Sequence, residues 1–437
     1  MTQPNFIVIM TDDQSAESLW HMHAATSPGV KGRLMTRGPT FLNSFTVASQ
    51  CEPSRASFLS GQYPHNHGLY SNTAAAPHGY ADFVQTNLLP VWLQAAGYKT
   101  CHVGKYLNGW GGSSVSPGYD EFYGAFGNYY YDYNVNENGT IVHYGAGASD
   151  YSTTQFANKA AAFLSAQASS SQPFFMFVGL HAPHEPCTGI APYANQMPNV
   201  LQSPRHPNWG ESGVSDKPAY IQGLPTISQA IKAHISERYR RASESLLSIN
   251  DAIDTIILAM IAAGKKDTTW IIYTSDNGLM LGEHRMPLNK VAPYEQSVRV
   301  PLIVCGPGST EMTRSELVAN IDLTATIADM AGATPTRTLD GKSLVPLLTS
   351  TVPQPSFRNH LLLEFMEDWQ QNYPLNGAAY TIPAYGALRS HEWKYVKYNT
   401  GETELYDMQA DPYELLSRHA DPSYATVKAD LEAILTA

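Results

Sequence analysis

The chain has 437 residues, 43% of them hydrophobic and 15% charged, enough apolar material for a sizeable core and too much for a disordered chain. Its net charge of -11 argues against nonspecific binding to nucleic acid or an anionic membrane, while leaving room for a local basic pocket that holds a small anion. No apolar run reaches membrane-spanning length and residues 1–10 carry no charged leader, so neither a membrane span nor an export signal is expected. Cys51, Cys101, Cys187 and Cys305 are scattered and form no Cys-x-x-Cys pair, so a reducing, cytoplasmic setting is the default unless an export signal has been removed.

Residues 5–10 form a continuous apolar run ended by Thr11-Asp12-Asp13-Gln14, the pattern of a strand covered on both faces. Similar runs at 173–180, 269–274 and 300–305 read as further central parallel strands. Between them, residues 156–167, 231–263 and 323–330 show helical spacing, with Gly264 placed to cap the longest. Residues 109–147 and 184–225 read as irregular segments on the rim of a site, and the Tyr129-Tyr130-Tyr131-Asp132-Tyr133 stretch offers rings that would stack on a sugar or pack as a lid.

Alternating strand and helix predict an α/β fold with a mostly parallel central sheet flanked by helices over residues 1–345. The chain loosens over 349–355. Runs at 361–365, 385–388 and 393–398 and an amphipathic stretch after Pro422 then predict a small α+β subdomain with an antiparallel sheet over 356–437.

Asp12 and Asp13 follow the first strand, and Asp276-Asn277-Gly278 follows the strand at 269–274. In such sheets ligands bind at the carboxyl ends of the strands. Either pair alone is commonly a turn or a helix cap. Together, three carboxylates and an amide oxygen suit a hard divalent cation, Ca²⁺ or Mg²⁺.

Cys51 taken alone is most simply a small buried apolar residue. Its neighbours change that reading, because Cys51-Glu52-Pro53-Ser54-Arg55, running on to Leu59-Ser60-Gly61, resembles the signature of the formylglycine-dependent sulfatases of the alkaline phosphatase superfamily. The resemblance implies an alkaline-phosphatase-like fold and oxidation of Cys51 to formylglycine by a dedicated formylglycine-generating enzyme. It also implies one metal at Asp12, Asp13, Asp276, Asn277 and the modified Cys51. By family position Arg55 would hold the hydrated aldehyde, Lys105 would bridge the diol and sulfate, His184 would protonate the leaving oxygen or bind sulfate, and Lys290 would bind sulfate. His181 is a second candidate at the end of the same strand, and His102 is expected to pack within its own strand.

Many arylsulfatases carry a histidine two residues after the lysine, where this chain has Leu107. The run Gly104-Lys105-Tyr106-Leu107-Asn108 instead resembles N-acetylglucosamine-6-sulfatase-like members, as do residues 62–67, 182–186, 294–308 and 404–412. The expected activity is therefore hydrolysis of a sulfate monoester, on a sulfated sugar and on aryl sulfates, with no nucleic-acid or membrane partner. The rival readings are a phosphomonoester or phosphonate monoester hydrolase of the same superfamily and an inactive anion-binding homologue.

Overall fold

Successive side chains of a strand point to opposite faces, and in Asn5–Thr11 both sets are apolar. Phe6, Val8 and Met10 join one core with Phe58, Leu59, Trp92 and Ile327, whereas Ile7 and Ile9 join a second with Phe156, Phe163, Ile249, Ile253 and Ile256. The strand is thus the middle of a three-layer sandwich, as its continuous hydrophobicity requires. The computed structural model describes residues 3–24, 28–75, 77–112, 114–197, 205–375 and 377–437.

From edge to edge the 10-stranded sheet runs Met312–Arg314, Pro39–Phe41, Leu302–Cys305, Thr269–Ser275, Asn5–Thr11, Phe174–Gly179, Lys99–Lys105, Glu121–Gly127, Tyr133–Glu137 and Thr140–Tyr144. The five strands from Thr269–Ser275 to Glu121–Gly127 are mutually parallel, so their carboxyl ends open on one edge. The helices Cys51–Ser60 and Asn320–Ala331 pack against each other on one side, and Ser152–Ala166 and Gln229–Ala262 on the other. The last of these, of 34 residues, is the one helix among the described residues long and apolar enough to cross a membrane, and it packs into the second core.

Two expectations need correction. Leu302–Cys305 is antiparallel to Thr269–Ser275, because the chain crosses the open edge of the sheet after residue 275 and re-enters from that side. Residues 109–147 also contain the last three strands, two of them joined as a hairpin at Asn138-Gly139, with φ of 53° and 97°. That pair is a strong turn signal. The outer strand Thr140–Tyr144 is largely exposed, which is why its residues lack the apolar density of the central runs.

The C-terminal sheet has four antiparallel strands, Leu361–Phe365, Tyr385–Arg389, Trp393–Tyr398 and Thr403–Asp407, with the helix Ala425–Thr436 packed on it. A separate hairpin pairs Trp369–Asn372 with Ala379–Ile382.

Candidate functional site

At the open edge of the parallel strands the chain gathers the residues singled out in the sequence. Asp12 and Asp13 leave the first strand, Asp13 with a φ of 65°, a left-handed conformation that aspartate tolerates better than most residues. Asp276 and Asn277 leave the neighbouring strand, and Asp276 Oδ1 accepts from the backbone N–H of Asp13 at 3.2 Å and of Asn277 at 2.8 Å. Lys105 ends a third strand. Gly104 before it has a φ of 96°, and a Cβ there would lie 2.0 Å from the Gly179 carbonyl, so only glycine lets the two strands meet.

Cys51 opens the helix Cys51–Ser60, every residue of which is buried, including Glu52, Ser54 and Arg55. Polar side chains survive there because they are bonded: Ser54 Oγ donates to the Asp276 carbonyl and receives from Thr46 Oγ1 at 2.7 Å, and Asn320 Nδ2 donates to the Ser54 carbonyl at 3.0 Å. Cys51 is the first residue of the helix, whose positive dipole end favours negative charge there, although the Glu52 N–H is already taken by Asn72 Oδ1 at 2.8 Å.

Cys51 Sγ lies 3.3 Å from Asp12 Oδ1 and receives a hydrogen bond from Lys290 Nζ at 2.9 Å. Burial, then the Asp12 charge, pushes the thiol up to about 12, so the encoded side chain is a neutral thiol. Lys105 Nζ meets Asp12 Oδ2 at 2.5 Å, and Lys290 Nζ meets Asp13 Oδ1 at 2.5 Å. Arg55 Nε donates to Asp276 Oδ2 at 2.8 Å and Nη1 to the Lys105 carbonyl at 2.9 Å, leaving Nη2 buried without a partner. Burial raises all three aspartates, but for Asp12 the cations led by Lys105 outweigh it and hold the carboxyl well below its usual range. At Asp276 burial and the Asp12 charge win, and the carboxyl is raised.

His184 stands at the mouth, half-buried, with Nδ1 at 2.7 Å from the Glu185 carbonyl and Nε2 at 3.7 Å from Asp13 Oδ2. His181 is buried behind it with neither ring nitrogen partnered; burial, then Lys105, lowers it well below its usual value, so it is neutral. His102 packs among Tyr106, Phe122 and Phe177, inside the core as expected. Leu107 is core and Asn108 is exposed.

Donor atoms of Asp12, Asp13, Cys51 and His184 lie within 4.8 Å of one another. Asp276 and Asn277, the other two expected ligands, are tied to Arg55 and Asp13, with Arg55 Nε donating to Asp276 Oδ2 and Asn277 Nδ2 donating to Asp13 Oδ1 at 2.6 Å. Asn277 Oδ1 is buried with no partner. A buried, carboxylate-rich donor set with an orphaned amide oxygen has the chemistry of a hard-cation site.

Sequence reasoning placed Tyr129 in a rim stretch for stacking on a sugar or packing as a lid, but not against the two histidines. Its ring contacts His181 and His184, with centroids 4.9 and 4.8 Å away, and lies 5.9 Å from Lys105 Nζ. Tyr130 Oη donates to the His184 carbonyl at 2.7 Å. The tyrosine-rich stretch thus braces the histidines; Tyr130 and Tyr131 pack on Tyr151, and Tyr133 on Tyr144.

The Sulfatase family profile matches residues 4–333, and that of the N-sulphoglucosamine sulphohydrolase C-terminal region matches 282–437. An arylsulfatase of Volvox carteri is 31% identical over 99% of this chain and 74% of its own length. An N-acetylglucosamine-6-sulfatase of Homo sapiens is 33% identical over 83% and 67%. A solved structure in complex with its substrate D-glucosamine-2-N,6-O-disulfate superposes with a TM-score of 0.85 at 23% identity, covering 99% of this chain and 97% of that one.

Proposed function

The chain belongs to the sulfatase family and hydrolyses sulfate monoesters, and from that premise we propose that its nucleophile is made from Cys51 and its substrate is a sulfated sugar. Sulfatases use a metal ion and a formylglycine formed from cysteine. In this reading the hydrated aldehyde at position 51 offers one hydroxyl to attack sulfur and a second whose deprotonation expels sulfate and restores the aldehyde. The observation that carries the assignment is the convergence of Asp12 and Lys290 on Cys51 Sγ, at the first residue of a fully buried helix.

Asp12, Asp13, Asp276 and Asn277 would hold the Ca²⁺ or Mg²⁺ ion, with the orphaned Asn277 Oδ1 as one donor. The ion would supply positive charge beside the reacting sulfate. Lys105 and Lys290, which here neutralise Asp12 and Asp13, would then be free to bind the sulfate oxygens. Arg55 fixes Asp276 and the end of the Lys105 strand, and its free Nη2 suits the oxidised side chain. His184 would carry its proton on Nε2 to the leaving alcohol oxygen, its Nδ1 being held by the Glu185 carbonyl. Residues 1–345 form the catalytic domain in this reading, with 356–437 as a subdomain beside it. The sugar follows from the human relative, an N-acetylglucosamine-6-sulfatase.

Mass spectrometry of the peptide around Cys51, after co-expression with a formylglycine-generating enzyme, tests the nucleophile: the side chain –CH2–SH should become –CHO, with the corresponding fall in mass. Turnover of an aryl sulfate is then compared with that of aryl phosphate and phosphonate esters. A thiol in a fully active preparation, or a large preference for phosphorus, overturns the reading.

A further inference from the structure

The segment that delivers Lys290 is held in an unfavourable backbone shape. Val291 has a φ of 80° and is the only β-branched residue with positive φ among the described residues. Its Cβ substituents crowd the backbone there, and valine left to itself adopts extended geometry. Something must hold it. Its N–H donates to the Ser49 carbonyl at 2.9 Å, two residues before Cys51, and its carbonyl accepts from Tyr385 Oη at 2.6 Å. Both peptide groups of Val291 are therefore clamped, one from the nucleophile's own loop and one from the C-terminal sheet.

We propose that Tyr385 is a positioning residue: its hydroxyl holds Val291 in the left-handed conformation and so aims Lys290 Nζ at Cys51 and Asp13. Released from the clamp, Val291 relaxes to an extended backbone, which rotates the peptide that follows Lys290 and turns its side chain off the 2.9 Å contact with Cys51. A second contact supports the same loop, since Asn289 Nδ2 donates to Tyr380 Oη of the adjacent hairpin. The C-terminal sheet, which supplies none of the residues proposed for the chemistry, thereby controls one of them. The proposal rests on the reading of Lys290 as a sulfate-binding cation.

The test is Tyr385→Phe, which removes one oxygen from a buried ring. The kcat/KM for an aryl sulfate should fall about tenfold or more, the inhibition constant of inorganic sulfate should rise in step, oxidation of Cys51 should match wild type, and the Tm should fall by no more than a few degrees, the bond being offset by the strain it holds. Tyr395→Phe on the same sheet, in the cluster facing the C-terminal helix, should change none of these. Adding Val291→Gly to Tyr385→Phe should restore most of the lost kcat/KM, because glycine adopts this φ without a clamp. A Tyr385→Phe enzyme equal to wild type, or a loss that Val291→Gly leaves untouched, overturns the proposal. Should the wild type turn over no sulfate ester, the reading of the site fails. The clamp is then decided by calorimetric sulfate affinity, and an affinity unchanged in Tyr385→Phe overturns it.

Discussion

Two buried clusters of charge sit about the Lys290 segment, and they differ in what they leave unsatisfied. The first, between the short helix Glu295–Val298 and the C-terminal sheet, sets Glu295 and Glu414 against Arg389 and Lys394, at 2.9 Å for Glu295 to Arg389, 3.1 Å for Glu295 to Lys394 and 2.6 Å for Lys394 to Glu414. Each of its buried side-chain atoms has a partner. The second, at the open edge of the sheet, sets Asp12, Asp13 and Asp276 against Lys105, Lys290 and Arg55, yet leaves Asn277 Oδ1, Arg55 Nη2 and both nitrogens of His181 unpartnered. A closed network fixes structure, whereas one with spare donors and acceptors, opening at His184 and Lys290, is built to take up ligands.

The comparison breaks most readily at the two lysines. Lys290→Ala should lower kcat/KM for an aryl sulfate by about 10²- to 10³-fold, the scale on which one charge-stabilising group is lost. In cation-free protein it should also cost roughly 1–3 kcal/mol of stability, because Asp13 is left without its cation. Saturating Ca²⁺ or Mg²⁺ should recover most of that stability and none of the activity, since the ion takes over Asp13 but not the role of Nζ. Denaturant unfolding with and without cation reads this, and a stability loss that no divalent ion reduces would remove the metal from the account.

Lys394→Ala tests the other side. Two buried carboxylates, Glu295 and Glu414, lose a shared cation, at a cost of about 3–5 kcal/mol. No divalent cation should restore it, and the fraction that stays folded should keep its activity. If cation rescues Lys394→Ala as well as Lys290→Ala, the distinction between the clusters is false.

Most of the second cluster could be read from the chain because its members follow apolar runs directly: Asp12 and Asp13 after residues 5–10, Asp276 and Asn277 after 269–274, and Cys51 within an unusual run of neighbours. The sandwich and the C-terminal antiparallel sheet followed from the same alternation of elements. What escaped was whatever depends on a partner remote in sequence. Tyr129 reaches His184 only because residues 109–147 fold as edge strands, and their half-exposed alternation was read as loop although Asn138-Gly139 marked the hairpin. Leu302–Cys305 was given the right place and the wrong direction, since an apolar strand does not encode which end the chain enters. Likewise, nothing local to Glu295 announces Arg389 or Lys394, about a hundred residues on.

Glu283 belongs to neither cluster and shows what a carboxylate does without a cation. It is buried, no ion pair is formed by it among the described residues, and its Oε2 accepts the Leu281 N–H at 2.5 Å. Burial pushes its pKa up to about 7 from an ordinary 4.5. Between those values the unfolded chain has released the proton and the folded chain still holds it, so the contribution of Glu283 to stability is complete below about pH 4.5 and is lost as pH rises through 7. The full shift corresponds to at most about 3 kcal/mol. Glu283→Gln keeps the shape and the acceptor but cannot ionise. It should match wild type at about pH 4 and exceed it by roughly 1–3 kcal/mol at pH 8 in denaturant unfolding. Glu52 and Glu211, also raised to about 7, titrate identically in both proteins and cancel in the difference. Equal pH slopes in the two proteins would mean that a cation reaches Glu283 in solution and that it belongs with the paired groups after all.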